Sequence, residues 1–409
     1  MTLSPAWLGW PETKTLLTIF AAANAPIRFV GGAVRDALLR IDVQDIDAAT
    51  PLPPKAAMAL LQKAGVQVIP TGIKHGTITA LIGKKHFEIT TLREDISTDG
   101  RHAKVKFTDD WQKDASRRDF TMNALYLSAN GELSDYFGGR EDAKAGRVIF
   151  IGDPAQRIEE DYLRVLRFFR FHAHYGSGAP DEKALAACAA AAKKLAGLSG
   201  ERIRHELLKL LAAPRPSETL EIMRQKKLIA PLLGYDVRNV EILERFERIE
   251  DALRITVDPV VKLTVFLLGI GAELSQDEAL AKLTKRLRLS NDMLRELRLL
   301  VTHQKELTAH MNEAEQKHFI RKLGPDNFIW SLVVNWAQSR EPISAKHPYV
   351  EMVALARDWH PPEFPVTGND LIALGIKPGK KMGELLEKLE AQWEKSNFTL
   401  TRDQLLRMK

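Results

Sequence analysis

Two aspartates, Asp45 and Asp47, stand two residues apart at the end of GGAVRDALLRIDVQDIDAAT, residues 31–50. On a β-strand that spacing sends both side chains to one face. Two carboxylates held together repel unless cations sit between them. Hard, oxygen-preferring Mg2+ ions are the natural occupants, and such ions bridge nucleotide phosphates and activate an attacking hydroxyl in a two-metal displacement. An isolated Asp-x-Asp is common on surface strands. Here it follows Gly31 and Gly32, which lie between an apolar strand and a helix beginning near Ala33. Backbone N–H groups and the positive helix end can thus face a phosphate at close range, and Arg35 adds a bidentate phosphate donor. Glu88, in HFEIT, is the candidate third carboxylate from a neighbouring strand; its alternating segment fits an exposed strand residue equally well.

The elements that must position these groups change character along the chain. Up to about residue 150, IRFVGGAVRDALL reads as strand, turn and helix, QDIDAAT as a strand, TITALIGKKHFEIT as a hairpin and VIFIG as a closing strand. From Asp153 onward helical periodicity persists almost to the end. The fold expected is an α/β head, a mixed sheet with helices, followed by an all-α array. Breaks at Ala213 to Pro216, near Asp258 and Pro259, and at His360 to Pro365 suggest four segments, 1–150, 151–215, 216–365 and 366–409.

The order GGAVRDALLRIDVQDIDAAT, RRDFTMNAL (117–125), DYFGGREDAKAG (135–146), EEDYLRVLRFFRF (159–171) and GERIRHELLKLL (200–211) resembles the motif series of class II tRNA nucleotidyltransferases and bacterial poly(A) polymerases, of the polymerase β superfamily. The likeness runs from about residue 27 to 215 and is looser afterwards, mainly in TGNDLIALGIKPGKKMGELL. It implies that Gly31, Gly32, Arg35 and Arg118 contact the triphosphate, that Asp45 and Asp47 hold the metals, and that Asp119 accepts from the ribose 2′-OH. It assigns Asp161 and Arg164 to the incoming base, with Arg167 and Arg170 as phosphate contacts or supports. A carboxylate beside a guanidinium complements the amino donor and ring-nitrogen acceptor of both cytosine and adenine. Uracil and guanine present the reverse pattern, which leaves buried polar groups unpaired. Asp161, Arg164, Arg167 and Arg170 recur at three-residue intervals and would trace a slowly drifting line along one helix.

The resemblance implies addition of CMP, CMP and AMP to the 3′ end of tRNA from CTP and ATP, with pyrophosphate released. Poly(A) synthesis is the alternative; relatives of that kind tend to carry an Arg-rich segment where this chain has TGIKHGTIT, residues 71–79. An inactive RNA-binding protein of the same fold is a third reading, opposed by the joint presence of Asp45, Asp47, Arg35, Arg118, Asp161 and Arg164. Expected partners are the acceptor arm and 3′ end of tRNA, ATP and CTP, with no membrane and no stable protein partner. The segment DISTDGRHAKVKF (95–107) reads as a basic surface loop and resembles the family's mobile loop. His172 and His174 are poorly spaced for a helical metal pair and read as packed or solvated. Lys377, Lys380 and Lys381, and the basic stretch KLTKRLRLS (282–290), are either RNA-facing or solvated.

Composition is compatible with this. The 409 residues carry a formal net charge of +6, enough to attract polyanions without making charge the whole of binding. The single cysteine, Cys188, excludes an intramolecular disulfide framework. The opening segment lacks a basic stretch followed by a clean apolar core, and no run approaches the roughly 18 apolar residues of a spanning helix. A cytoplasmic protein is expected. No His-Asp doublet occurs, which argues against an appended metal phosphohydrolase.

Overall fold

The computed structural model describes residues 2–43, 45–98, 103–271, 274, 277–303, 306–339 and 341–408. The chain forms two compact units, Met1–Asp236 with Lys285–Arg288, and Val237–Thr284 with Leu289–Lys409. The first unit opens with the expected mixed sheet and becomes helical. Its strands are β1 (Arg28–Val30), β2 (Ile46–Thr50), β3 (Gln67–Gly72), β4 (Thr77–Ile82), β5 (Lys85–Thr91), β6 (Arg93–Thr98), β7 (Ala103–Phe107), β8 (Leu125–Leu127) and β9 (Leu133–Asp135). Seven form one sheet in the order β3-β4-β5-β2-β1-β8-β9. β2 and β5 run parallel, and the other neighbours are antiparallel.

Side-chain alternation decides which face carries the chemistry. Phe29, Ala48, Leu125 and Leu127 point to one core with Leu16 and Phe20 of α1 (Pro11–Ala22) and Leu61; their neighbours Val30, Ala49 and Tyr126 point to the other, with Leu92, Ala115 and Ile151. Asp47, two residues before Ala49, shares the second face. α2 (Gly32–Leu39) leaves β1 through Gly31, whose φ of 73° and ψ of −129° lie where an L side chain is strained. α3 (Pro54–Lys63) follows β2, while α4 (Trp111–Ser116) and α5 (Gly139–Lys144) flank β8 and β9 in sequence.

Two sequence expectations change here. VIFIG is not a closing strand: it makes one isolated bridge, Phe120 with Phe150. The Phe150 ring instead packs 4.8 Å from Phe120 and stacks 5.7 Å from Phe168, so aromatic burial takes the segment out of the sheet. The basic segment 95–107 falls largely in a two-stranded hairpin, β6–β7, rather than a plain loop. Its Gly100, Arg101 and His102 lie outside the described residues.

The helical part of the first unit contains α6 (Pro154–Glu160), α7 (Leu163–Tyr175), α8 (Glu182–Ala190), α9 (Gly200–Leu211), α10 (Pro216–Gln225) and α11 (Ile229–Leu233). α7 buries Leu163, Val165, Leu166, Phe168, Phe169 and Phe171, which explains its apolar flanks. Half-buried His172 hydrogen-bonds Thr219 and the Gly178 carbonyl, and exposed His174 hydrogen-bonds the Lys209 carbonyl. Arg286, in the basic stretch 282–290, spends its guanidinium on the carbonyls of Leu232, Leu198 and Leu195 within the same unit. Three captured carbonyls make it an anchor rather than an RNA contact.

The second unit is helical throughout its described elements: α12 (Glu241–Leu253), α13 (Pro259–Leu268), most of α14 (Asp277–Leu287), α15 (Asn291–His303), α16 (Glu313–Leu323), α17 (Pro325–Gln338), α18 (Pro348–Asp358), α19 (Gly368–Ala373), α20 (Lys380–Lys395) and α21 (Arg402–Arg407). Its last helices enclose a small core of Leu371, Met382, Leu389, Trp393 and Leu405. Capping boxes at Thr367 and Thr401 fix the starts of α19 and α21. No helix among the described residues is long and apolar enough to cross a membrane.

Candidate active site

A cavity of about 660 Å³ opens on the sheet face that carries Asp47. Gly31, Gly32, Arg35, Asp45 and Asp47 line it from the β1–α2–β2 segment. Arg118 and Asp119 line it from RRDFT, Asp161 from the junction between α6 and α7, and Arg164, Arg167 and Arg170 from α7. Residues far apart in sequence, from Gly31 to Lys209, thus line one cavity. Glu88 does not line the cavity, yet parallel pairing of β2 and β5 sets it directly opposite Asp47.

Asp45 is exposed and Asp47 half-buried, and neither makes an ion pair among the described residues. Burial and the neighbouring Glu88 and Asp45 charges push the Asp47 carboxyl up to about 6, although Arg118 pulls the other way. Crowded carboxylates without a resident cation partner are what a divalent ion would relieve. Among the described residues no group of three or more His, Cys, Asp or Glu side chains forms a ready cage. Two carboxylates suit an ion that keeps waters and takes its remaining oxygens from substrate phosphates.

The arginines lining the cavity are not a row of free side chains. Arg35 is 6 % exposed and donates from Nε to Asp36 at 2.8 Å, from Nη1 to Asn123 at 2.6 Å and from Nη2 to the Tyr175 hydroxyl at 2.6 Å. The open bidentate edge read from sequence is therefore already engaged, and Arg35 ties α2 to the RRDFT segment and α7. Each terminal nitrogen keeps one further N–H for a ligand. A Cβ on Gly31 would stand in ordinary contact, 3.5 Å from Arg118 Nη1, so its positive φ rather than lack of space calls for glycine.

The helix expected to carry Asp161, Arg164, Arg167 and Arg170 in one line is broken. α6 ends at Glu160, Asp161 is extended (φ −157°, ψ 107°), and α7 starts at Leu163. Asp161 Oδ1 accepts the Leu163 N–H at 3.0 Å, a local bond that competes with helix continuation. Its Oδ2 accepts from Arg202 at 2.6 Å. Arg164 pairs with Glu160 and donates to the Arg157 carbonyl at 2.6 Å. Arg167 grips Asp119, through Nε at 2.8 Å and also through Nη2, and Arg170 Nε lies 2.9 Å from Glu206. Asp119 further accepts from the Phe120 amide and Asn123. Burial opposes its charge, but the Arg167 charge and these hydrogen bonds hold the carboxyl down at about 2. Its lone pairs are occupied, so a ribose hydroxyl reaches Asp119 only by sharing or displacing one of these donors.

Residues 27–149 match the model of the poly A polymerase head domain, and residues 179–235 that of the probable RNA and SrmB-binding site of polymerase A. The chain is 38 % identical over 405 residues to the human mitochondrial CCA tRNA nucleotidyltransferase 1, covering 96 % of this chain and 88 % of that protein. The chain belongs to the CCA-adding tRNA nucleotidyltransferase family. It is also 29 % identical to the CCA-adding enzyme of Lactobacillus helveticus, over 88 % of this chain and 87 % of that one. Among solved structures, the Bacillus stearothermophilus CCA-adding enzyme in complex with CTP superposes with a TM-score of 0.75 at 26 % identity, covering 94 % of this chain and 93 % of the other.

In this family member the sequence reading missed residues that share the cleft. Arg202 and Lys209 line it from α9, and Glu206 lies between them in sequence. Their spacing of four and then three residues is the helical signal for one face, present in GERIRHELLKLL but masked by the leucines beside it. Asn123, which joins Arg35 to Asp119, lies in RRDFTMNAL and carries no charge to mark it.

Proposed function

We propose that this family member adds CMP, CMP and AMP to the 3′ end of tRNA from CTP and ATP and releases pyrophosphate, with Mg2+ as its metal. The observation that supports this most directly is the sharing of one cavity by two metal-ready carboxylates, Asp45 and Asp47, an arginine-lined phosphate wall and the Asp161–Arg164 pair. Asp45 and Asp47 would hold the ion, with Glu88 beside Asp47 as a supporting carboxylate. When bound, Mg2+ supplies charge neutralisation on the phosphates and lowers the pKa of the attacking hydroxyl. Gly31, Gly32 and Arg118 keep the triphosphate in line, and Arg35 holds α2 and α7 around it. Asp161 and Arg164 offer an acceptor and a donor to the base edge. Asp119 and Arg167 form the floor near the sugar.

The test is purified protein on tRNA lacking its CCA end. CTP alone gives two additions and then stops; ATP adds once, and only after both cytidines. Open-ended adenylation would overturn the reading in favour of poly(A) synthesis.

We further propose the sequence division into a catalytic head (1–150), a base-recognition neck (151–215), a helical body (216–365) and a tRNA-binding tail (366–409). The likeness of residues 179–235 to an RNA-binding model supports an RNA contact beginning before the body. In the tail, Lys377, Lys380 and Lys381 are exposed around the start of α20. Replacing all three with Ala is expected to weaken tRNA binding and flatten its dependence on salt, by up to about three released counterions. KM for CTP stays where it was. An unchanged affinity and salt slope would remove these lysines from the interface. The cytoplasm remains the proposed compartment, a reducing one that suits the buried thiol of Cys188.

A further inference from the structure

Asp114 is the most deeply buried carboxylate beside the cleft, 1 % exposed, and it does not line the cavity. It sits in α4, whose start is fixed by Asp110 accepting from the Gln112 and Lys113 amides. A carboxylate there needs its lone pairs filled, and they are. Oδ1 accepts from Arg117 Nη2 at 2.8 Å and Nε at 2.9 Å and from the Arg93 amide at 3.1 Å. Oδ2 accepts from the Tyr126 hydroxyl at 2.7 Å and Arg118 Nη2 at 3.2 Å. Arg118 Nε reaches the same hydroxyl at 3.3 Å. Burial opposes the charge of Asp114, yet the two guanidiniums and the tyrosine hold its carboxyl below the usual range.

Arg117 and Arg118 both line the cavity, with their side chains 15 % and 18 % exposed. A free arginine surrenders rotamer entropy whenever it grips a ligand. Two adjacent ones also repel each other. A carboxylate bonded to both removes the repulsion and fixes their rotamers before a phosphate arrives, leaving the outer N–H groups for the ligand. We propose that Asp114 is a positioning residue for the nucleotide triphosphate: it aims Arg118, and with it Arg117, into the cleft without touching substrate itself. This deepens the reading of Arg118 as a triphosphate contact and rests on it.

Asp114→Asn is the informative change because the volume is kept. With its amide oxygen toward Arg117, its NH2 group faces Tyr126, whose hydroxyl can turn to accept, and Arg118, which cannot accept at all. Arg118 Nη2 therefore loses its carboxylate partner and the Tyr126 proton its acceptor, while the Arg117 bonds stay. The readout is equilibrium binding of CTP and of CMP, which share base and sugar and differ in the β- and γ-phosphates. CTP affinity is expected to fall about ten-fold while CMP affinity and the preference for C and A over U and G hold. Equal losses for CTP and CMP, or no loss for either, overturn the proposal. Tyr126→Phe leaves the Asp114 charge in place and deletes the hydroxyl that contacts both Oδ2 and Arg118. It is expected to show the same CTP-specific loss at smaller size even if Asp114→Asn fails to fold, and an unchanged CTP-to-CMP ratio in it overturns the proposal as well. Wild-type protein that binds CTP no more tightly than CMP removes the underlying reading of Arg118. A wild-type preference for CTP that survives both substitutions removes only the role of Asp114.

Discussion

Asp47→Asn is expected to abolish nucleotide addition while making the metal-free protein more stable. The activity loss follows from the site: with Asp45 it supplies the carboxylates proposed to anchor Mg2+, and metal stabilisation of phosphoryl charge is worth several kcal/mol, or about a thousand-fold in rate. Stability moves the other way. The folded carboxyl titrates at about 6, against 3.8 for an ordinary aspartate, first because of burial and then because of Glu88 and Asp45. A raised folded pKa means that the contribution to stability is full below the unfolded value and is lost as pH rises through about 6. At pH 7.5 the ionised side chain thus opposes folding by up to about 3 kcal/mol, less after solvent screening. The Asn variant escapes that cost. In chelator its Tm should exceed that of the wild type at pH 7.5, and the difference should close by about pH 4. Adding Mg2+ should raise the wild-type Tm and leave the variant unmoved, so the ordering narrows or reverses. A variant that is active, or one that responds to Mg2+ as the wild type does, would remove Asp47 from the metal site. Asp45→Asn should lose activity equally with a smaller change in stability, because Asp45 is exposed.

The nearness of Asp45 and Asp47, the proposed metal ligands, was legible because it is local in sequence. Asp45 and Asp47 are two residues apart, Asp47 on β2 and Asp45 just before it, and both line one cavity; Gly31 and Gly32 signal their turn by lacking side chains. The β4–β5 hairpin was equally readable from alternation and the Gly83 turn. Strands β8 and β9, three residues each, are too short for any period to register, and they owe their place to the neighbours that pair with them. VIFIG misled because an apolar run states that it is buried, not by what. The break at Asp161 was invisible for another reason. No Gly or Pro interrupts EEDYLRVLRFFRF, and the helical spacing runs through; where α6 stops, Asp161 accepts from the Leu163 amide and from Arg202. The partners of the arginines were hidden as well. Sequence shows which side chains are charged, whereas the pairing of Arg167 with Asp119 and of Arg202 with Asp161 depends on contacts 48 and 41 residues apart.

That break bears on how a protein can select a base. Held on one continuous helix, Asp161 and Arg164 would face the ligand only as far as a rigid spacing allowed. Released from α6, Asp161 is instead pinned by Leu163 on one oxygen and by Arg202 on the other, while Arg164 is pinned by Glu160 and the Arg157 carbonyl. Both side chains are fixed before a nucleotide arrives, each with hydrogen-bonding capacity to spare. Asp161→Asn is then the sharpest change available. It preserves the shape and the Leu163 bond but replaces an acceptor with a group that can donate, which favours the O4 of uracil over the amino group of cytosine. A base-edge contact is worth roughly 1 to 3 kcal/mol of discrimination, or about five-fold to more than a hundred-fold in relative incorporation. UTP should gain on CTP by that factor, measured by single-nucleotide incorporation on tRNA ending at the discriminator base, and total turnover should drop. Arg164→Ala, which removes the proposed donor to the ring nitrogen, should erode the preference for C and A on tRNA ending at the discriminator base and on tRNA ending in CC. If both residues read one edge, as proposed, the double variant should lose less than the sum of the two single losses. If both single variants fold and discriminate as the wild type does, the base is read by other groups, and the Asp161–Arg202 and Glu160–Arg164 pairs serve only to join α6, α7 and α9.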